Sequence, residues 1–370
     1  MEFNDLGAQY RRLQPGIDAA IAAVLAHGRF IHGPEVGRLE AALAGRCGAA
    51  HCVAVSSGTD ALQIILMGLG IGAGAAVFVP TFTFTATAEA IVNAGASPVF
   101  CDVGEGSFDL DPDDLERRIA ATARAGALVP RAVLAVDLYG MPADYARLAR
   151  VADRWGCVVI ADAAQSFGAI QGSSAVGTLA AATATSFFPT KPLGCYGDGG
   201  AIFTADEELA AAARSIRVHG AGGGKYDIAR IGLNARLDTI QAAILLEKLK
   251  SFDDEHGRRE RLAALYAERV GDVVVHPRTP PGSRSAWAQY TIMSPRRDAI
   301  RAALAAAGIP SMIYYPRPMH LQPAYAAFAG GRPDHPNATR CCAEVLSLPL
   351  HADLADDDVS RIAGVVRAAA

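Results

Sequence analysis

Three short stretches hold side chains able to act on a carbonyl and an anion. The first is 185–201, TSFFPTKPLGCYGDGGA, with its single lysine, Lys191, set among aromatic, Pro and Gly residues. A lysine in a desolvated, apolar setting loses its proton more easily and becomes a nucleophile toward carbonyls. A lysine that snorkels to water is the plainer alternative. The second is 160–166, IADAAQS, where Asp162 ends an apolar run. Ligands of open α/β sheets gather outside such strand ends, and a buried carboxylate there needs a cationic partner. An aspartate that only caps the next helix would look the same. The third is 56–62, SSGTDAL, between a strand-like run and a helix-like one. Gly58 permits a tight turn, Thr59 and Asp60 lie at the helix start, and free backbone N–H groups there make an anion site. An ordinary cap by Ser57 or Thr59 is again the alternative.

The elements that must position these residues alternate. Short β-branched runs at 51–55, 76–79, 98–103, 132–137, 158–162, 183–188 and 201–204 read as buried strands. Helical spacing fills most of the gaps, at 60–69, 86–94, 111–121 and 145–155, after two Ala-rich helices around 17–25 and 35–44. Strands alternating with helices imply an α/β fold with a mostly parallel sheet covered on both faces. The glycines at 194–200 predict a tight turn back into the sheet, and 70–74 reads as a turn that opens no helix. Gly220-Ala-Gly-Gly-Gly224 reads as a flexible loop. A long amphipathic helix is expected over 237–252, then a strand over 287–293, a helix over 297–307 and a terminal helix from Asp356. The expected division is a large α/β domain, 1–245, and a smaller α+β domain, 246–370.

Composition narrows the class. The chain has 370 residues, 51% hydrophobic and 19% charged, with a formal net charge of −4. That is a globular composition with no basic excess for nucleic acid. The N-terminal MEFNDLGAQYRRLQPG is polar and unlike a secretory signal, and no run of about 18 apolar residues suggests a membrane span. Seven scattered cysteines without a CxxC pair argue against zinc or a disulfide framework and for a reducing cytoplasm. Each reads as a small buried hydrophobe, with Cys341 and Cys342 in one helix.

Together the three stretches fit one cofactor. Pyridoxal 5'-phosphate needs a lysine for its aldehyde, an acidic partner for its pyridine nitrogen and a phosphate cup at a helix N-terminus. The order of phosphate loop, aspartate, then Ser186 and Lys191 resembles aspartate-aminotransferase-like enzymes of fold type I. More specifically, the chain resembles the DegT/DnrJ/StrS family of sugar-nucleotide aminotransferases. The similarity runs through FNDLGAQ (3–9), GPEV (33–36), SGTDAL (57–62), VPTFTF (79–84), DAAQS (162–166) and the Lys191 stretch. It continues through GLNARLDTIQAA (232–243), YPRPMH (315–320) and LSLPL (346–350).

That resemblance implies roles. Lys191 would carry the cofactor as a Schiff base and, once freed, shuttle a proton. Asp162 would keep the pyridine nitrogen protonated, Gln165 would sit beside the phenolic oxygen, and Phe84 would stack on the ring. Gly58, Thr59, Asp60 and Ser186 would serve the phosphate. Asn234 would come from a neighbouring subunit, which implies a homodimer with shared sites. Arg236, Tyr314 and Tyr315 would face the substrate. Glutamate would donate the amine, and a keto sugar on a nucleotide would receive it. The KPLGCYGDGG run is similar to members that aminate C3, and with Arg236 most resembles enzymes for UDP-2-acetamido-3-keto-glucuronate. Close relatives often carry His where this chain has Tyr314, so a dTDP-6-deoxy-3-keto-hexose, or a 4-keto sugar, stays open. Family members that dehydrate sugars replace the lysine with histidine, so Lys191 argues against a lyase. Cys195, in a Gly turn, is a poor match to a desulfurase cysteine. A regulator without catalysis would be expected to lose Lys191 or Asp162.

Overall fold

Apolar strand cores and glycine-ended helices dictate most of the architecture, seen here in a computed structural model that describes residues 1–224, 226–329 and 334–370. The chain opens with α1 (Leu6–His27) and α2 (Pro34–Cys47), each ended by a left-handed glycine, Gly28 and Gly48. Then strands and helices alternate: β1 (His51–Val55), α3 (Gly58–Gly68), β2 (Ala75–Pro80), α4 (Thr85–Asn93), β3 (Ser97–Cys101), α5 (Pro112–Ala125), β4 (Val129–Val136), α6 (Tyr145–Arg154) and β5 (Val158–Asp162). A small hairpin, β6 (Ile170–Gln171) and β7 (Ser174–Ala175), precedes β8 (Ala182–Ser186), β9 (Gly200–Thr204) and α7 (Glu207–Ile216).

The main sheet has seven strands in the order β1-β9-β8-β5-β4-β2-β3. Only β9 runs against its neighbours, pairing antiparallel with β1 and β8; the remaining pairs are parallel. β2, AAVFVP, is buried at every position, as expected of a central strand covered on both faces. One face packs on α3, α4 and α7 through Leu62, Ile65, Ile91 and Ile216. The other packs on α5 and α6 through Leu115, Ile119 and Leu148. Burying a side chain such as Phe78 fully is worth about 1.5–3 kcal/mol.

The expected helix over 237–252 is two helices, α8 (Thr239–Leu249) and α9 (Phe252–Val270), broken at Lys250–Ser251. α8 packs with α2 through Ala242, Leu245 and Leu39, and Phe252 joins that core. From Leu262 onward α9 belongs to a second core with Tyr290, Ile292, Leu346 and Ile362. The chain here runs through β10 (Ser283–Arg284), β11 (Tyr290–Met293), α10 (Arg297–Ala306), α11 (Pro336–Glu344), β12 (Val345–Leu348) and α12 (Asp356–Ala369). β10 pairs back onto β6, and β11 pairs with β12. The strand expected over 287–293 starts only at Tyr290, because Trp287 takes a left-handed φ of 52° that no strand accommodates. All seven cysteines are buried and unpaired. Among the described residues no helix is long and apolar enough to cross a membrane.

Candidate active site

The C-terminal ends of the parallel strands frame a cavity of about 410 Å³, inside the usual range for a small-molecule site, about 300–1,000 Å³. Lys191, Asp162, Gln165, Phe84, Ser186, Gly58, Thr59, Tyr314 and Tyr315 all line it. Residues that follow four parallel strands thus converge with two tyrosines from the C-terminal part of the chain.

At the anion end, Ser57 caps α3 and accepts from Asp60 N at 3.0 Å. Gly58 leaves room for Ser186: a Cβ at position 58 would meet the Ser186 Cβ at 2.8 Å. The α3 N-terminus therefore abuts the end of β8, with the Ser57 and Ser186 hydroxyls beside free backbone N–H groups. The Asp60 carboxylate accepts from the Ser56 and Ser57 hydroxyls, and Asp60 is not among the cavity walls. It braces the loop from behind.

Asp162 ends β5 and is 6% exposed. Its Oδ2 accepts from Thr87 Oγ1 at 2.8 Å and its Oδ1 from Ala164 N at 3.2 Å. Burial raises its pKa, while Thr87, Ala164 and Lys191 pull it back down. Lys191 is half-buried and its amine makes no hydrogen bond or ion pair among the described residues. Burial lowers its pKa and Asp162 opposes that shift. The cavity thus holds a buried carboxylate kept ionisable by donors, and a lysine biased toward the neutral amine.

Between these groups, Gln165 accepts from Tyr139 N at 2.6 Å through Oε1 and donates to the Tyr315 hydroxyl at 3.3 Å through Nε2. Tyr139 turns with a φ of 60°, and Gly140 after it has no space for a Cβ, which would meet Trp287 N at 2.8 Å. Phe84, the N-cap of α4, is 54% exposed; its ring lies 5.9 Å from that of Tyr315, tilted by 36°. A large aromatic left bare over a cavity offers its face to a flat ligand.

Asn234 and Arg236 do not line the cavity. Ala235 and Leu237 are buried while Asn234 is exposed and Arg236 half-exposed, the alternation of an extended segment. Arg236 reaches His219 at 3.5 Å. Thr87, Leu138, Phe188, Asp198 and Gln289 also wall the cavity without having been singled out from the sequence.

The residues fit pyridoxal 5'-phosphate. A Gly58 cradle that a Cβ would fill, a helix N-terminus with two hydroxyls, a buried carboxylate and a free amine are the donor set its phosphate, pyridine nitrogen and aldehyde require.

Comparison with known proteins agrees. Residues 12–367 match the DegT/DnrJ/EryC1/StrS aminotransferase family. A relative from Pseudomonas aeruginosa, UDP-2-acetamido-2-deoxy-3-oxo-D-glucuronate aminotransferase, is 45% identical over 95% of each chain. A dTDP-3-amino-3,4,6-trideoxy-alpha-D-glucose transaminase from Streptomyces venezuelae is 42% identical over 99% of this chain and 95% of its own. The crystal structure of a DegT DnrJ EryC1 StrS aminotransferase from Brucella abortus superposes with a TM-score of 0.97 at 50% identity, over 100% of this chain and 99% of that one. The chain belongs to the DegT/DnrJ/EryC1/StrS aminotransferase family, whose fold is type I and whose cofactor is pyridoxal 5'-phosphate.

Proposed function

We propose that this aminotransferase moves an amino group from glutamate to the C3 keto group of a nucleotide-linked sugar, with UDP-2-acetamido-2-deoxy-3-keto-glucuronate as first candidate. The product would be a 3-amino uronate for bacterial surface polysaccharide. The observation that carries the chemistry is the placement of Lys191 and Asp162 on one cavity with the Gly58–Ser186 cradle. The acceptor assignment draws on the 45% identity to the P. aeruginosa 3-oxo-glucuronate enzyme. The 42% identity to a dTDP-sugar transaminase favours a dTDP-6-deoxy-3-keto-hexose as the second reading; a 4-keto sugar is the third.

When bound, pyridoxal 5'-phosphate supplies the aldehyde that takes up the amine and a ring that withdraws electrons from the substrate carbon. This chain's own groups do the rest. The neutral Lys191 amine, favoured by burial, accepts the proton from the substrate carbon and returns it as the acid. The Asp162 carboxylate would hold a proton on the pyridine nitrogen, and the bonds from Thr87 and Ala164 oppose the upward push of burial on its pKa. Thr59, Ser186 and the α3 N-terminus would hold the phosphate. Gln165, fixed by Tyr139 N, would meet the phenolic oxygen, and Phe84 would cover the ring. Leu138, Val136 and Phe188 give the cavity apolar walls.

The working form is a homodimer in which Asn234 and Arg236 complete the neighbour's site. In support, Ile231 is 84% exposed, and the exposed Phe30 and Ile31 adjoin the 234–238 segment through the Ile31–Asp238 bridge. Such an apolar border suits a second copy. Arg236 would then offer its planar fork to a carboxylate or phosphate of the acceptor. Tyr314 and Tyr315, from beyond the first core, would flank the sugar. We assign two domains, meeting along α9 where its packing changes between Phe252 and Leu262. Seven reduced, buried cysteines suit a cytoplasmic enzyme.

Two experiments test these assignments. Borohydride reduction of the yellow holoenzyme fixes the cofactor on the Lys191 peptide; a label elsewhere would sink the lysine assignment. Turnover with glutamate against UDP- and dTDP-keto sugars should favour 3-keto acceptors, and activity only on 4-keto sugars would overturn the C3 assignment.

A further inference from the structure

The turn that carries Lys191 is pinned from outside by two buried cations. Residues 187–199 leave the sheet between β8 and β9, closed by bonds from Lys191 N to Phe188 O and from Cys195 N to Phe187 O, 2.9 and 2.8 Å. Such an irregular stretch has carbonyls that no strand satisfies. Lys248 of α8, 2% exposed, donates from Nζ to the Gly194 carbonyl at 2.7 Å and lies 4.1 Å above the Tyr196 ring. Arg259 of α9, 7% exposed, donates from Nη2 to the Pro192 carbonyl at 3.0 Å and from Nη1 to the Ala286 carbonyl at 3.5 Å. The two carbonyls held belong to the first and third residues after Lys191.

Burying two cations against neutral carbonyls is costly, several kcal/mol per ion before compensation. Compensation here is thin. Glu255 stands 3.8 Å from Arg259 and is shared with Arg12 and Gln9 at 2.9 and 2.8 Å. Burial accordingly drops the Lys248 amine to about 8, with Glu255 opposing. A neutral amide would satisfy a carbonyl with less penalty. What a cation adds is a bond roughly twice as strong, useful where backbone must not move. The Tyr196 backbone is held as well, by Gln241 at 2.9 and 3.2 Å, and Gly194 cannot carry a Cβ, which would meet Pro189 O at 2.3 Å.

We propose, on the premise that Lys191 is the cofactor lysine, that Lys248 and Arg259 are positioning residues that fix the base of the Lys191 side chain. Over one transamination Lys191 would leave its bond in the first half-reaction, move a proton in each, and re-form the bond at the end of the second. Its four-carbon stem is flexible, so the accuracy of the amine depends on the peptide below it. A displacement of about 1 Å at such a group can cost about 100-fold in rate.

The test uses Lys248→Met, Lys248→Gln, Arg259→Met and Arg259→Lys, with the exposed Lys250→Met as control. Hydrogen exchange of the cofactor-free proteins reports the 187–199 amides, and steady-state kinetics of the holoenzymes report kcat and KM. In the Met variants the turn should exchange about 10-fold faster, and kcat should fall roughly 10- to 100-fold with acceptor KM held within about twofold. Lys248→Gln and Arg259→Lys, which keep a donor, should recover part of both losses, and the control should match wild type. Wild-type exchange and kcat in the Met variants would overturn the proposal. So would accelerated exchange spread over the whole fold, or failure of all four variants to fold, since either makes the cations structural. Failure of the premise is separate: it would show as borohydride labelling of another lysine in wild-type enzyme.

Discussion

Ser186 occupies the space that any side chain at position 58 would need. A Cβ on Gly58 would stand 2.8 Å from the Ser186 Cβ and 3.3 Å from its Cα. Gly58 opens α3 and Ser186 ends β8, so the glycine brings a helix N-terminus against a strand end. Its role is close approach; its φ is not left-handed. Gly58→Ala should push the two apart at a cost of about 1–3 kcal/mol. Most of that should appear as weaker cofactor binding, roughly 10- to 100-fold. Titrating the cofactor-free variant with pyridoxal 5'-phosphate, read by visible absorbance, measures it. Wild-type affinity in a variant that melts normally would remove the cradle.

The Thr87 hydroxyl is expected to set the acid limit of activity. It donates to Asp162 at 2.8 Å, and burial alone would raise that carboxyl. Asp162 must be ionised to hold the pyridinium proton. Thr87→Val removes a donor to the charged form, so the Asp162 pKa climbs and activity is lost at a higher pH on the acid side. The kcat plateau at alkaline pH should stay near wild type. Asp162→Asn, which cannot ionise, should lower kcat at all pH values by roughly 100- to 1,000-fold. A Thr87→Val profile superimposable on wild type would show that the bond does not matter to Asp162.

Much of this was legible in the sequence for a physical reason. Central parallel strands are buried on both faces, so 158–162 and 76–79 appear as uninterrupted apolar runs, and the residues ending them fall at the ligand edge. Lys191 stood out because its neighbours are apolar or turn-forming. Residues whose role depends on distant placement did not stand out. Thr87 meets Asp162 across 75 positions, and Tyr139 reaches Gln165 across 26 through a left-handed turn at a non-glycine residue. β6, β7 and β10 are two residues each, too short for any periodicity. The α8–α9 break leaves apolar spacing almost continuous, so 237–252 looks like one helix.

His256 makes stability depend on pH. It is 1% exposed, pairs with the Ser285 carbonyl at 2.7 Å through Nε2, and leaves Nδ1 buried without a partner among the described residues. A second ring proton would have no acceptor. Burial, together with Arg284 and Arg259 and against Glu260, lowers its pKa from 6.5 to about 4. The unfolded chain therefore binds more protons than the native one between those values. The contribution is fully present above about pH 6.5 and is lost as pH falls toward 4. His335, lowered to about 3, acts in the same direction. Melting temperature should fall over this window, and His256→Gln should flatten part of the slope. An unchanged slope would assign the effect elsewhere.

Shared sites predict a specific rescue between two dead enzymes. Lys191 lines the cavity of its own chain, whereas Asn234 is exposed and lies off that cavity, in the segment whose Asp238 bridges the exposed Ile31. If Asn234 serves the neighbour, a mixed dimer of Lys191→Ala and Asn234→Ala chains contains one site with both defects and one with neither. Each parent should be inactive or nearly so, while random mixing makes half the dimers hybrid. Refolding the two together should then restore about one quarter of wild-type activity, a statistical limit that follows from closed two-fold symmetry. Light scattering on the mixture confirms that the species is a dimer. If Asn234 instead acted within its own chain, every site in the hybrid would carry a defect and no activity would return. The same mixing with Arg236→Ala in place of Asn234→Ala separates a partner role for the arginine from a local one toward His219, and the acceptor KM of the Arg236→Ala parent tells which substrates depend on it.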